Sequence, residues 1–128
     1  MAHIALVEDN PHNQAIFRAV LERRGHHVVL LPDGAAALAY LAEHVPDLLL
    51  LDLSIPKVDG WTVARRIRAS DDARLRDVPI VALTAHAMKG DRNRAIEAGC
   101  DRYVPKPVSP RVLDRVVTEV LEGDVRAA

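Results

Sequence analysis

Apolar residues in this chain come in short continuous blocks, separated by longer stretches in which they recur every three or four positions. The blocks run from His3 to Val7, His27 to Leu31, Asp47 to Leu51, Val78 to Leu83 and Arg102 to Val104, and are rich in Val, Ile and Leu. Leu48, Leu49, Leu50 and Leu51 follow one another without a polar break. A strand with one wet face alternates, whereas a strand covered on both faces does not, so these blocks predict the strands of a parallel sheet. Between them, Ile16, Phe17, Val20 and Leu21 sit at i, i+1, i+4, i+5 spacing, as do Val112, Leu113, Val116, Val117, Val120 and Leu121. That spacing draws one apolar stripe along a helix and leaves Arg18, Glu22, Arg23, Arg115 and Glu119 in water. Weaker stripes predict helices over roughly Gly34 to Glu43, Gly60 to Ser70 and Lys89 to Ala98.

Punctuation agrees with the periodicity. Asn10-Pro11 and Ser109-Pro110 place a capping side chain before a proline at the first helical position, and Gly25 and Gly99 fall where helices should stop. Five alternating strand-helix units imply an α/β fold, because right-handed crossovers put helices on both faces of the sheet. The expected architecture is a flavodoxin-like (βα)5 three-layer sandwich with a five-stranded parallel sheet. Its strand order, 2-1-3-4-5, is taken by analogy with doubly wound folds. Residues 1–122 are expected to form one domain and 123–128 a short tail, with no effector domain.

In such a sheet, ligands bind beyond the carboxyl ends of the strands. Those ends carry Glu8-Asp9, Asp52, Thr84 and, just past the last strand, Lys106. Two carboxylates about 4 Å apart repel by roughly 4 kcal/mol at an effective dielectric near 20, and a third adds to this. Lys106 offsets only one charge, so a hard divalent cation such as Mg2+, which takes carboxylates, waters and phosphate oxygens, suits the site. A carboxylate can also act as the nucleophile in phosphoryl transfer, the protein's task then being positioning and neutralisation. Asp52, closing the most apolar strand, is the candidate phosphoacceptor. Glu8, Asp9 and Asp52 are the candidate metal ligands, with Lys106 and Thr84 contacting the phosphoryl oxygens.

Charge and cysteine usage narrow the partners. The 128 residues carry 17 basic and 18 acidic groups, a net charge of −1, so no global field favours nucleic acid or an anionic membrane. Cys100 is the only cysteine, which excludes an internal disulfide and makes the cytoplasm the expected compartment. Met1-Ala2-His3 leads straight into a strand without the features of a signal peptide, and the apolar runs are too short to span a bilayer.

Over nearly its whole length the chain resembles the receiver domain of bacterial two-component response regulators, the CheY-like superfamily. VEDN is similar to the family's acidic pair, LLLLDLSIPKVDG to its phosphoacceptor strand and loop, VALTAHA to its switch-threonine segment and YVPKPV to its lysine-proline turn. The combination of TAHAMKGDR with the short tail looks most like stand-alone regulators of the DivK type. The resemblance implies that Asp52 accepts phosphate from a phosphohistidine, with Mg2+ held by Glu8, Asp9, Asp52 and the Ser54 backbone carbonyl. It makes Thr84 the switch hydroxyl, Tyr103 the switch aromatic and Lys106 the phosphate contact, and implies a Lys106-Pro107 bond that is often cis. Ser54 and His86 occupy the positions that set dephosphorylation speed in the family. The implied partners are a sensor histidine kinase or histidine phosphotransfer protein, and a downstream protein reading the face of the fourth and fifth predicted helices and strand 5. The resemblance implies a monomer or weak dimer, and a signalling protein able to dephosphorylate itself rather than an enzyme.

Plainer readings stand beside these. Glu8-Asp9 with Asn10 also reads as a helix-entry cap, Thr84 as a loop hydroxyl, Lys106 as a solvated ammonium and Tyr103 as a half-buried strand residue with a wet hydroxyl. Asp59-Gly60 reads as turn and cap chemistry, Trp61 as packing or a surface contact, Cys100 as a small buried residue and Ser70 to Arg74 as a solvated loop. The six histidines show no metal-ligand spacing. Among rival functions, a Mg2+-dependent aspartyl-phosphate phosphatase would want a second Asp two residues after the nucleophile, where this chain has Ser54. A flavin carrier would not place three carboxylates at its phosphate edge. A receiver excised from a hybrid kinase, or one that only docks partners, completes the set.

Overall fold

The computed structural model describes residues 2–85 and 90–123. Strands β1 (His3–Val7), β2 (His27–Leu31), β3 (Leu48–Asp52), β4 (Ile80–Thr84) and β5 (Arg102–Pro105) alternate with helices α1 (Pro11–Arg23), α2 (Gly34–Leu41), α3 (Gly60–Arg68), α4 (Ala73–Arg76), α5 (Asp91–Ala98) and α6 (Pro110–Leu121). All strand pairs are parallel, in the order β2-β1-β3-β4-β5. The expected architecture and strand order are thus the observed ones. Strands β3 and β4 extend one residue further than the apolar blocks, because Asp52 and Thr84 still pair within the sheet. One element was not expected: Ala73–Arg76 is a single helical turn, started by Asp72 accepting from the Arg74 N–H at 3.0 Å. It stays solvated, so the loop reading fails only in backbone form.

The sheet is buried on both faces because its strands carry apolar residues at odd and even positions alike. On one face Leu49, Leu51 and Ala82 pack with Ala37, Val63 and Ile67 of α2 and α3. On the other, Leu6, Leu50 and Leu83 pack with Phe17 and Leu21 of α1 and Leu113 and Val117 of α6. Each fully buried side chain of this size contributes about 1.5–3 kcal/mol, enough to fix the layer order. The helix starts follow the capping reading: Asn10 accepts from the N–H groups of His12 and Asn13, Ser109 from Val112 and Asp59 from Thr62. Cys100 is buried, and desolvation pushes its thiol up to about 12. No helix among the described residues is long and apolar enough to cross a membrane.

Arg68, at the end of α3, ties the amino edge of β4 and β5 together. Its Nε donates to the Gly99 carbonyl at 2.9 Å, Nη1 to the carbonyls of Arg76 and Val78 at 2.7 and 2.6 Å, and Nη2 to Asp101 at 2.9 Å. The same Asp101 oxygen accepts from the Ile80 N–H at 2.8 Å. Replacing Arg68 by Met would strip these acceptors of their donor. Losing charge-assisted hydrogen bonds at a part-buried site typically costs about 1.5–3 kcal/mol, so Arg68→Met should lower the urea midpoint by a corresponding amount at unchanged slope.

Candidate functional site

Side chains alternate across a strand, so each strand presents one row of residues to each face. On the face covered by α1 and α6, β1 presents Ile4 and Leu6, β3 presents Leu48 and Leu50, and β5 presents Val104, all in one core. Continuing each row by one step toward the carboxyl edge gives Glu8, Asp52 and Lys106. Three apolar rows therefore end in charges on the same side of the sheet, at neighbouring strand tips.

The three charges meet. Lys106 Nζ donates to Glu8 Oε1 at 2.7 Å and to Asp52 Oδ2 at 3.1 Å. Glu8 is 0% exposed and bonded to Lys106, so it is more than the helix-entry cap of the plainer reading; Asp52 is 3% exposed, and the Lys106 side chain, at 12%, is not a solvated ammonium. Cap duty falls to Asn10, whose own N–H bonds Glu8 Oε2 at 3.1 Å. Burial pushes the Glu8 carboxyl above its usual value, against the lowering effect of the Lys106 and Asn10 hydrogen bonds. For Lys106, burial works downward, but the Glu8 hydrogen bond and the Asp52 charge outweigh it and hold the ammonium above the ordinary lysine value. Asp9, exposed, brings the third carboxylate: oxygens of Glu8, Asp9 and Asp52 lie within 4.8 Å of one another. Three acids against one ammonium leave the cluster two charges short of balance. An oxygen-only set of this span and charge suits a hard divalent cation, whose octahedral ligands sit about 3–4 Å apart.

The Response regulator receiver domain family model matches residues 4–118. This chain belongs to the response regulator receiver family. Over 114 residues the receiver is 40% identical to the polar-differentiation response regulators DivK of Brucella ovis and Brucella abortus, covering 88% of this chain and 91% of theirs. The receiver domain of the sensor histidine kinase PA1611 from Pseudomonas aeruginosa, solved with magnesium coordinated in its active-site cleft, is 37% identical. It superposes with a TM-score of 0.83 over 98% of both chains. The receiver domain of a histidine kinase from Syntrophus aciditrophicus is 30% identical, with a TM-score of 0.87 over 100% of this chain and 96% of that one. Members of the family are signalling proteins that bind Mg2+ at an acidic pocket and interact with histidine kinases and downstream targets.

Thr84 and Tyr103 lie on the other face of the receiver's sheet. Ala82 pairs with Tyr103 and Thr84 with Pro105, which puts Thr84 and Tyr103 in adjacent rows. Thr84 is buried, and its carbonyl accepts from the Lys106 N–H at 2.7 Å, so switch candidate and ammonium share a backbone link. The Lys106-Pro107 peptide is cis. The Tyr103 hydroxyl is not wet: it is buried and has no hydrogen-bond partner among the described residues. The ring packs against the core cluster that includes Ala82, Ala95 and Ala98. His86 and Lys89 lie outside the described residues.

The loop after Asp52 is held from below, by contacts that sequence reading missed. Ser54 N–H donates to Asp52 Oδ1 at 3.0 Å, which brings the Ser54 backbone to the carboxylate. Gly34, the first residue of α2, donates to the Pro56 carbonyl at 3.3 Å, and a Cβ there would stand 1.8 Å from the Val58 carbonyl oxygen. Gly60 is also closed to a side chain, its Cβ position being 2.6 Å from Leu53 Cα. In the sequence both glycines looked like ordinary helix starts. Gly34→Ala must push the Ser54–Val58 loop off α2. Overpacking of this kind costs about 1–3 kcal/mol, so the variant should lose that much stability in denaturant titration and show shifted amide resonances from Asp52 to Val58.

Proposed function

We propose that this receiver is a stand-alone response regulator of a phosphorelay that carries its phosphoryl group on Asp52. The observation that carries the reading is the shared ammonium: Lys106 bonds both Asp52 and Glu8 at the strand tips, beside a third carboxylate. An Asp52 oxygen would attack the phosphorus of a phosphohistidine protonated on its other ring nitrogen, as the phosphorus–nitrogen bond breaks and the imidazole leaves as the neutral ring. Lys106 would pass from its carboxylate partners to a phosphoryl oxygen, and the Thr84 hydroxyl would take another. Glu8, Asp9, Asp52 and the Ser54 carbonyl would hold Mg2+, which supplies charge neutralisation when bound. A cavity of about 460 Å3 lined by His12, Phe17, Ala85 and Lys106 offers room for the donor.

The phosphoryl group adds about −1.5 to −2 charges, and its effect is limited to the contacts that differ between the two states. Tyr103 supplies such a difference. Its ring lies in the row next to Thr84, with a buried hydroxyl that has no partner among the described residues, so a movement of Thr84 would change the surroundings of the ring. The repacked surface would be that of α5, β5 and α6, read by a protein target. A monomer or weak dimer in the cytoplasm, with the receiver over residues 1–122, completes the proposal. The 40% identity to DivK, of which 91% is spanned, supports the stand-alone reading. The 37% identity to the PA1611 receiver favours a second one, that of a receiver within a hybrid kinase.

Incubation with acetyl phosphate and Mg2+ should add one phosphate to the intact mass of the wild type. Asp52→Asn should add none, and undiminished labelling of that variant would overturn the assignment. Thr84→Ala should still gain the phosphate yet lose the accompanying change in the Tyr103 ring resonances. A wild-type tyrosine response in Thr84→Ala would separate Tyr103 from the switch.

A further inference from the structure

We propose that His3 and His27 form a second cation site at the amino end of the sheet, one that takes Zn2+ through two imidazole nitrogens. The residues are 24 apart in sequence, which hides the pair, but they face each other as register partners on the adjacent parallel strands β1 and β2. Both are exposed at the strand starts, and their ring centroids are 5.3 Å apart at an interplanar angle of 61°. Zinc–nitrogen bonds of about 2.0–2.1 Å with a tetrahedral angle at the metal put the centroids of two coordinating imidazoles about 5.2 Å apart. A square-planar ion would need them at about 4.5 Å as cis ligands or about 6.4 Å as trans ligands, so the spacing fits tetrahedral Zn2+ better than Cu2+.

The pair is held in place from behind. The His3 N–H donates to Asp47 Oδ2 at 2.8 Å and its carbonyl accepts from the Asp47 N–H, while the His27 N–H donates to the Ala2 carbonyl at 2.8 Å. Neither ring makes a hydrogen bond among the described residues, so the ring nitrogens remain available as donors. The adjacent His26 is committed elsewhere, its Nδ1 accepting from the Ala2 N–H at 3.2 Å. Rotation about χ2 turns the nitrogens toward a shared ion while leaving the ring centroids nearly in place, and χ2 of histidine is a soft torsion. His3 also borders a cleft of about 470 Å3 with Glu43 and Asp72, where waters can complete the coordination. Imidazole nitrogens prefer Zn2+ to Mg2+, whereas the carboxylates at the far end of the sheet have the opposite preference. The two sites are therefore chemically distinct, and this one does not depend on the phosphoacceptor reading.

A metal that joins β1 to β2 binds only the folded chain and must raise its melting temperature. With Mg2+ in excess to occupy the carboxylates, added Zn2+ should raise the Tm of the wild type and shift the ring resonances of His3 and His27 together. His3→Gln and His27→Gln should each abolish the Tm rise while keeping the wild-type urea midpoint in the absence of zinc, and His44→Gln should retain it. A zinc response that survives both substitutions, or no response of the wild type at a large molar excess of Zn2+, would overturn the site.

Discussion

Two carboxylates removed from water beside each other stay ionised only if a positive charge is held between them, and in this receiver that charge is on Lys106. The contact joins β1, β3 and the turn after β5, so it ties together the tips of strands drawn from the beginning, middle and end of the chain. Its cost is desolvation, which raises the Glu8 carboxyl and works against the Lys106 ammonium. The cluster tolerates that cost because each buried carboxylate also accepts a backbone N–H, from Asn10 or Ser54. What it does not reach is neutrality, since Asp9 adds a third acid. That imbalance is what would draw a cation, and the anionic groups a cation carries, to the strand tips.

The rest of the fold keeps that imbalance in place. The Asp52 loop lies so close to α2 and α3 that only glycine fits at positions 34 and 60. The Gln14 side chain holds the Glu8 carbonyl at 2.6 Å, which anchors the first tip to α1. At the opposite end of β4 and β5, Arg68 joins three backbone carbonyls and Asp101. The two ends of the sheet are thus held by different means: a guanidinium whose charge is matched by Asp101 at one, and an under-neutralised acid cluster at the other. Of these two clusters, only the second has charge left to balance.

Much of this could be read from the sequence. The continuous leucine run of β3 required cover on both faces, and a parallel sheet brings Glu8, Asp52, Thr84 and Lys106 to one edge whatever the details of packing. The caps at Asn10, Asp59 and Ser109 were legible because a side chain and its N–H partners lie within three residues. The remainder depends on contacts with no local signature. Arg68 bonds carbonyls, which every residue possesses, so no pattern marks it. Gly34 is explained by a loop that follows it by more than twenty residues. The buried Tyr103 hydroxyl depends on tertiary packing around β5, and the short turn at Ala73–Arg76 carries no apolar stripe to announce it.

The rows ending in Glu8, Asp52 and Lys106 face α1 and α6, whereas Thr84 and Tyr103 belong to the rows facing the other helices. The sheet is thereby a partition between the place where the acids gather and the place where the tyrosine packs. Helix α6 packs beside α1 on the acid side, whereas Tyr103 packs across the sheet. A partner that contacted both α6 and the Tyr103 ring would therefore have to straddle the edge of that partition.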